Sequence, residues 1–543
     1  MKILVIGGVA AGTKAAAKLK REDRSADVLI LVKDEEISYA GCGLPYYLSG
    51  VIENRSSLIV NTPEKFSALT GARVLTGKEA VALDRTAKKV TAVDVKSGQN
   101  EEYLYDKLVI ATGASPIAPP VPGLDLKNVF FMRRPDDAEA VRCAMAGGEI
   151  KRAVVCGAGL IGLETAENLA AAGIKVTVID MAQQILPGFD PEIAGYVENH
   201  LAAKGVVCLT GAKLLEITGA DKAEKVVTDK RSLKADAVIL SLGIRPNTAF
   251  LNDSGIELLP NKTIKVNRQL MTNDPDIYAV GDCVSVSSRL TGASAWSPMG
   301  SSANIEGRLA AQSLAGKEVA YAGVLGTGIC SLAGLNVGRT GLSEAAARAA
   351  GWDVVSAVSV VDDKAHYYPG ASNFIIKLTA DRKTGKFLGI HALGTGAVDK
   401  LIDMAAVALT MNATLSDLEN MDLAYAPPFS TAIHPFVHAV NVLINKINGD
   451  FETFTPLEYA NGAASDYRTI DVSIQPSLKN APYLDLLKIN GPLEEYKKDE
   501  KLLLVCAKGK RAYLAQNRLK FYGYVNTKVL EGGHTFNEIK NED

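Results

Sequence analysis

Two stretches of the chain follow one hydrophobic design. Lys2–Ile6 is a short unbroken apolar run, the kind that forms a strand covered on both faces; it breaks at Gly7-Gly8-Val9-Ala10-Ala11-Gly12, after which an Ala-rich helix is expected to about Lys20. Residues 153–156 repeat the strand, Gly157-Ala158-Gly159-Leu160-Ile161-Gly162 repeats the turn, and a helix is expected over 163–172. Each unit is answered downstream by an apolar run that ends in glycine, Leu108 to Gly113 for the first and Ala237 to Gly243 for the second. The repetition predicts two βαβ dinucleotide-binding units within one chain. A further run, Asp276 to Gly281-Asp282, most economically returns to the first of them.

Beyond residue 320 the pattern changes. Strand-like runs at 354–361 and 373–378 alternate with long helical periodicities at 397–411 and 434–447, which reads as an α+β domain. Asn448-Gly449-Asp450 is a turn-rich boundary expected to give a last block reach, and that block shows strands at 469–472 and Leu502–Val505 and a helix at 513–521. The expected fold class is α/β: a first Rossmann-like domain from 1–118 and 247–320, a second from 119–246, an α+β domain at 321–449 and a C-terminal α/β domain at 455–543.

The length, 543 residues, suits three or four such domains at about 150 residues each. With 59 Lys+Arg against 61 Asp+Glu, the net charge of −2 argues against nucleic acid or an anionic membrane as the main partner, so phosphate binding must be local. The seven cysteines are scattered and contain no Cys-x-x-Cys pair, which favours neither a disulfide framework nor a metal site. Uncharged apolar runs of about 18 residues and a signal-peptide pattern are both lacking, so no membrane insertion and a cytoplasmic location are expected.

A glycine-rich turn that opens a helix sets backbone N–H groups and the positive helix end against a pyrophosphate. The second fingerprint is complete, and Asp180 ends the following strand, placed to bond a ribose 2′-hydroxyl; Met181-Ala182-Gln183 after it offers no Arg for a 2′-phosphate, which favours NADH over NADPH. In the first fingerprint Val9 takes the middle glycine position, and Val32 stands where the acid belongs. Either Asp34 holds the ribose from a shifted register or that contact is absent. Cys42, between Gly41 and Gly43 and just before an expected helix start, has the setting of a stabilised thiolate.

The paired fingerprints, Cys42-Gly43-Leu44-Pro45-Tyr46-Tyr47, Ala111-Thr112-Gly113, Gly281-Asp282 and the stretch from Asp422 to Ser430 together resemble the pyridine nucleotide–disulfide oxidoreductases, and within them the coenzyme A-disulfide and persulfide reductase branch. The resemblance implies FAD against Gly7, Gly8, Ala11, Gly12, Lys33, Asp34, Ala80, Thr112, Gly113, Gly281, Asp282 and Gly300, and NADH against Gly157, Gly159, Ile161, Gly162, Glu164, Asp180 and Gly243. It implies that 321–449 is a dimerisation domain of a homodimer, whose Tyr425 and Tyr367-Tyr368 region reaches the partner subunit's active site. The glutathione reductase type pairs two cysteines five positions apart; here the second position is Tyr47, so Cys42 works alone. The lone-cysteine NADH oxidase and peroxidase branch resembles Gly-x-x-His-Ala-Gly at the first turn, where this chain has Ala10, which counts against oxygen or peroxide as the main oxidant.

Cys506-Ala507-Lys508-Gly509-Lys510-Arg511, with Asp471-Val472 and Glu531-Gly532-Gly533, resembles the active loop and frame of a rhodanese domain, with three cations expected to favour an anionic persulfide on Cys506. Ser473-Ile474-Gln475-Pro476 departs from that pattern, which leaves a sulfur-accepting Cys506 and a structural remnant both open. His434-Pro435 is read as a helix start. Thr62-Pro63-Glu64 is followed by Lys65 and then by the neutral Ser67-Ala68-Leu69-Thr70-Gly71, where coenzyme A-binding members of the family often carry basic residues; this weakens the case for coenzyme A, which stays a candidate substrate or ligand beside persulfide and polysulfide. The activity implied is NADH-dependent, FAD-mediated reduction of such sulfur compounds through Cys42, with Tyr425, Tyr367, Tyr368 and Cys506 as further catalytic candidates; an oxidase or peroxidase with a sulfenic acid cycle and a redox-responsive binding protein are the rivals.

Overall fold

In the computed structural model, which describes residues 1–539, the Lys2–Ile6 strand is central in a five-stranded parallel sheet. Asp27–Leu31 and then Arg73–Leu75 lie on one side of it, Lys107–Ile110 and then Ile277–Ala279 on the other. A second sheet repeats the plan around Arg152–Cys156, with Lys175–Ile179 and Val206–Leu209 on one side and Ala237–Leu240 and Val129–Phe131 on the other, again all parallel. Each sheet carries a three-stranded antiparallel companion: Lys78–Asp84, Lys89–Asp94 and Asn100–Leu104 for the first, Leu214–Thr218, Lys225–Thr228 and Ser232–Lys234 for the second. In sheets of this type ligands bind beyond the carboxyl ends of the strands.

The chain divides into two compact units. One comprises 1–187 with 201–324 and holds both parallel sheets; the other comprises 188–200 with the residues from 325 onward. The helix after the first glycine turn, Ala10–Glu22, presses against Gly300–Leu314. That approach needs Gly307, where a Cβ would stand 2.4 Å from the Ala11 carbonyl oxygen. The helix after the second turn is Leu160–Ala171, starting three residues earlier than the sequence pattern suggests because Gly159 itself is the N-cap.

The second unit is built on an antiparallel sheet in the order Gly328–Leu332, Leu335–Gly341, Phe387–Gly394, Asn373–Asp381, Val354–Asp362, so Val354–Asp362 is an edge strand. Val398–Thr410 and Pro435–Asn448 are its long helices, the latter capped by His434, whose Nδ1 accepts the Phe436 N–H at 3.2 Å. The segment 188–200, expected within the second dinucleotide-binding domain, packs in this unit. Lys377, 3% exposed, reaches Asp190 at 3.0 Å, Glu192 at 2.5 Å and Glu344 at 3.0 Å. Burial alone would push Asp190 up, but its hydrogen bond with His391 and the Lys377 charge hold it at about 2. Losing the lysine would take the cation away from two covered carboxylates, Asp190 and Glu192, whereas Glu344 keeps Arg348 at 2.7 Å.

Within residues 451–539 lies a four-stranded parallel sheet, Thr453–Phe454, Thr527–Leu530, Leu502–Val505 and Arg468–Asp471, with Lys510–Phe521 as its main helix. The 448–450 boundary is not the loose spacer that its turn residues suggest. Gly449 closes the preceding helix at φ +83°, the Asp450 and Phe451 N–H groups both return to the Asn445 carbonyl, and Phe451 is buried edge-on against Tyr513. Glu531, 1% exposed, ties this sheet to the edge strand: one oxygen accepts the Val358 N–H at 2.8 Å, the other accepts Lys446 at 2.5 Å and Thr453 at 2.6 Å.

Candidate functional site

At the carboxyl end of the first sheet three short segments converge: 7–12, 111–113 and 280–282. Gly7 takes φ +111°, and a Cβ there would meet the Ala111 carbonyl oxygen at 2.0 Å; one on Gly12 would meet the Gly7 carbonyl oxygen at 1.9 Å. The second sheet reproduces both contacts: a Cβ on Gly157 would stand 2.2 Å from the Ser241 carbonyl oxygen, and one on Gly162 2.0 Å from the Gly157 carbonyl oxygen. Around Gly159 nothing lies within 4 Å of such an atom. The second turn is thus packed on its inner side and clear on its outer side, which suits a phosphate lying against its N–H groups. Ile161 is exposed on the first helical turn and Gly243 closes the opposite strand end at φ +97°.

Asp180 sits at the end of Lys175–Ile179, as its position predicts, and its two oxygens accept the Ala158 N–H at 2.7 Å and the Ala182 N–H at 2.8 Å. Its first task is therefore to brace the glycine turn. In the first fold the matching Val32 is buried, with its N–H on Leu75 and its carbonyl on Lys78, so no ribose contact can come from that position. Asp34 pairs with Arg134 at 2.6 Å and Lys33 with Glu79 at 2.9 Å, while Ala80 lies half-buried on the antiparallel companion. Thr112 exchanges hydrogen bonds with Asn247, its hydroxyl donating to the Asn247 carbonyl at 2.8 Å and its carbonyl accepting the Asn247 amide at 3.0 Å; Gly113 follows at φ +64°. Asp282 pairs with Arg133 at 3.0 Å, and its carbonyl accepts the Trp296 indole at 2.9 Å. Gly300 starts the Gly300–Leu314 helix.

Cys42 is exposed inside a three-residue 3₁₀ turn, Gly41–Gly43, that leads into the five-residue helix Leu44–Leu48. Nothing lies within 4 Å of where a Gly41 Cβ would be, so the backbone beside the thiol is open. The expectation of a stabilised thiolate is corrected here. So short a helix supplies little dipole, the atoms packed around the sulfur push its pKa up, Glu164 and Asp282 add to that, and the Arg133 charge opposes them. Five positions on, Tyr47 is buried, gives its hydroxyl to Glu139 and carries the Arg142 guanidinium 4.3 Å over its ring, so no second thiol shares the turn. Tyr46 donates to Glu164 at 2.8 Å and Ser49, just past the helix end, to Asn168 at 2.5 Å, which pins the helix that follows the thiol turn onto Leu160–Ala171. Cys156 and Cys283, buried, are pushed up to about 12 and about 11 and stay thiols.

In the second unit Tyr367, Tyr368 and Tyr425 are all exposed. Tyr367 and Tyr425, 58 positions apart in the chain by their numbers, are hydrogen-bonded through their hydroxyls, and this raises the Tyr367 phenol above its ordinary value. Tyr368 has no such partner among the described contacts of the pair. Cys506 directly follows Leu502–Val505, 3% exposed, with its sulfur accepting the Ala512 N–H at 3.4 Å; Gly509, at φ +89°, caps Lys510–Phe521. The cations expected around it are partly committed elsewhere: Lys508 to Asp362 at 2.5 Å, Arg511 to Asp485 at 3.3 Å and the Val472 carbonyl at 3.0 Å. Sequence patterns missed Arg133, Asn247 and the Tyr46–Glu164 bond, each a partner far away along the chain. Among the described residues no group of three His, Cys, Asp or Glu could hold a metal ion, and no helix is long and apolar enough to cross a membrane.

Residues 1–299 match the family model described as pyridine nucleotide-disulphide oxidoreductase, and 329–436 match its dimerisation domain. A protein of Methanocaldococcus jannaschii named NADH oxidase is 33% identical over 449 residues, 82% of this chain and 100% of that protein. One of Pyrococcus abyssi named NAD(P)H sulfur oxidoreductase (CoA-dependent) is 36% identical over 442 residues, 81% of this chain and 98% of its own. The solved structure of an NAD-dependent persulfide reductase from A. fulgidus superposes with a TM-score of 0.94 at 34% identity, covering 99% of this chain and 100% of that one.

Proposed function

The chain belongs to the pyridine nucleotide-disulphide oxidoreductase family, and from that premise we propose that it is a homodimeric FAD enzyme that spends NADH on reducing persulfide, polysulfide or coenzyme A disulfide at Cys42. The observation that carries the reading is the solitary open thiol of Gly41–Gly43, with Tyr47 in place of a second cysteine and its helix pinned by Tyr46 to the helix of the second glycine turn. The likeness to a persulfide reductase over 99% of the chain supports it.

The segments 7–12, 111–113 and 280–282 would hold FAD, with Asp282 and Thr112 as its polar partners, and 157–162 with Glu164 and Asp180 would hold NADH. When bound, FAD would supply two-electron redox chemistry linking NADH to the sulfur held on Cys42. The Cys42 thiolate attacks the sulfane sulfur of a persulfide; the S–S bond breaks, the thiol leaves with a proton, and Cys42 is left as a persulfide. With coenzyme A disulfide the same attack leaves a mixed disulfide. Tyr425, with Tyr367 behind it, is the proton donor to the leaving thiolate, acting on the partner's Cys42 across the dimer. The Cys506 loop, at a strand-to-helix turn of a parallel sheet, takes the part of a rhodanese-like sulfur carrier.

The relative named NADH oxidase favours a second reading, in which Cys42 cycles through sulfenic acid. Anaerobic NADH consumption with polysulfide, coenzyme A persulfide, coenzyme A disulfide and peroxide, on wild type and Cys42→Ser, separates the two. Sulfur turnover well above peroxide turnover, lost in Cys42→Ser, is the expected result; the opposite ranking overturns the proposal.

A further inference from the structure

Glu306 takes no part in the chemistry above, yet it is 2% exposed in the middle of the first unit. It lies on the second turn of Gly300–Leu314, and its Oε2 accepts the Gly281 N–H at 2.7 Å. Gly281 itself has little freedom, because it holds φ +82° and a Cβ on it would stand 2.9 Å from the Ala11 Cβ. Glu306 therefore forms the underside of a junction between the first glycine turn, the 280–282 turn and its own helix. The titratable group that acts on it is Asp282, of like sign, on the turn; Tyr321, beyond the helix, is itself pushed up by burial and by the Glu306 charge, and the neighbouring stretch of Ala10–Glu22 contributes Ala11 and Ala15. Among the described residues no cation offsets a charge there, and burial pushes the carboxyl up to about 8 against the opposing Gly281 N–H.

We propose that Glu306 is a positioning residue for the flavin: a buried carboxyl that holds the Gly281 peptide from below while Arg133 and Trp296 hold Asp282, and that keeps a second negative charge out of the floor of a site built for a diphosphate. Buried beside Asp282, it keeps its proton at neutral pH. The proposal rests on reading 280–282 as part of the flavin site. Its consequence is that FAD binds to the form carrying this proton, so affinity falls as pH rises past the carboxyl's own titration.

The test is FAD rebinding to the flavin-stripped full chain, followed by fluorescence from pH 6 to 10 on wild type, Glu306→Gln and Glu306→Leu, with melting curves of each. Glu306→Gln keeps an oxygen acceptor without a charge. It is expected to bind FAD within about twofold of wild type at neutral pH and to stay flat above pH 8, where wild type weakens by up to about tenfold per pH unit. Glu306→Leu leaves the Gly281 N–H unpaired and is expected to weaken binding by about tenfold or more. Difference infrared spectra of the protein without flavin should show a protonated carboxyl band that Glu306→Gln removes. Tenfold weaker binding by a folded Glu306→Gln, or a pH profile shared by wild type and Glu306→Gln, overturns the proposal alone. A folded wild type that binds no FAD at all overturns the flavin reading beneath it.

Discussion

Replacing Glu531 with Ala should loosen the C-terminal sheet from the rest of its unit. The side chain is 1% exposed and serves three donors, Val358 N–H, the Lys446 ammonium and the Thr453 hydroxyl, at 2.5 to 2.8 Å. Val354–Asp362 pairs on one side only, with Asn373–Asp381, so the Val358 N–H would otherwise be an uncovered edge donor. Breaking a buried pair from one side costs about 3–5 kcal/mol. The lower end applies, because Lys446 keeps the Ser356 carbonyl at 2.8 Å and its side chain is 18% exposed, so it is not left bare. We expect a loss of about 3 kcal/mol in the unfolding step of residues 451–539, and about half that for Glu531→Gln, which retains an acceptor. Urea unfolding followed by circular dichroism, with limited proteolysis mapped by mass spectrometry, reads this as an earlier separate transition and new cleavage near Gly449. A Glu531→Ala protein within about 0.5 kcal/mol of wild type and with an unchanged digest would refute the docking argument.

Other outcomes test the site itself. On flavin-free protein, the rate of Cys42 alkylation should rise with pH through a midpoint above that of an ordinary thiol, and Glu164→Gln should move the midpoint down; an unmoved midpoint removes Glu164 from the account. Gly162→Ala, whose Cβ would stand 2.0 Å from the Gly157 carbonyl oxygen, should push helix from strand at a cost on the order of 1–3 kcal/mol and weaken NADH binding at least about tenfold, measured by fluorescence titration. Tyr425→Phe should lower persulfide turnover by about 100-fold and let the Tyr367 phenol titrate earlier, whereas Tyr368→Phe should stay within about twofold; equal losses at both positions would cancel the ranking.

Much of the architecture was legible because its causes are local. A strand covered on both faces must be apolar throughout, a turn that lays helix against strand admits only glycine at Gly7, Gly12, Gly157 and Gly162, and the strand ends at Thr112-Gly113 and Gly281-Asp282 carry their own punctuation. Such requirements act within a dozen residues and leave a pattern in the chain. Cys42 stood out for the same reason.

What the thiol and the cofactor turns experience was decided elsewhere. Tyr46 meets Glu164 across 118 positions, Arg133 meets Asp282 across 149, and Gly281 meets Glu306 from another element altogether. Segment 188–200 leaves the fold that its neighbours build because Lys377 gathers its acids, and the apparent spacer at 448–450 is closed by Asn445 and Tyr513. Sequence alone therefore determined which backbone segments come to the site, since steric and periodic rules are short-ranged. Charge, burial and hydrogen-bond partners, which set how acidic Cys42 and Glu306 are, depend on atoms brought together only by packing.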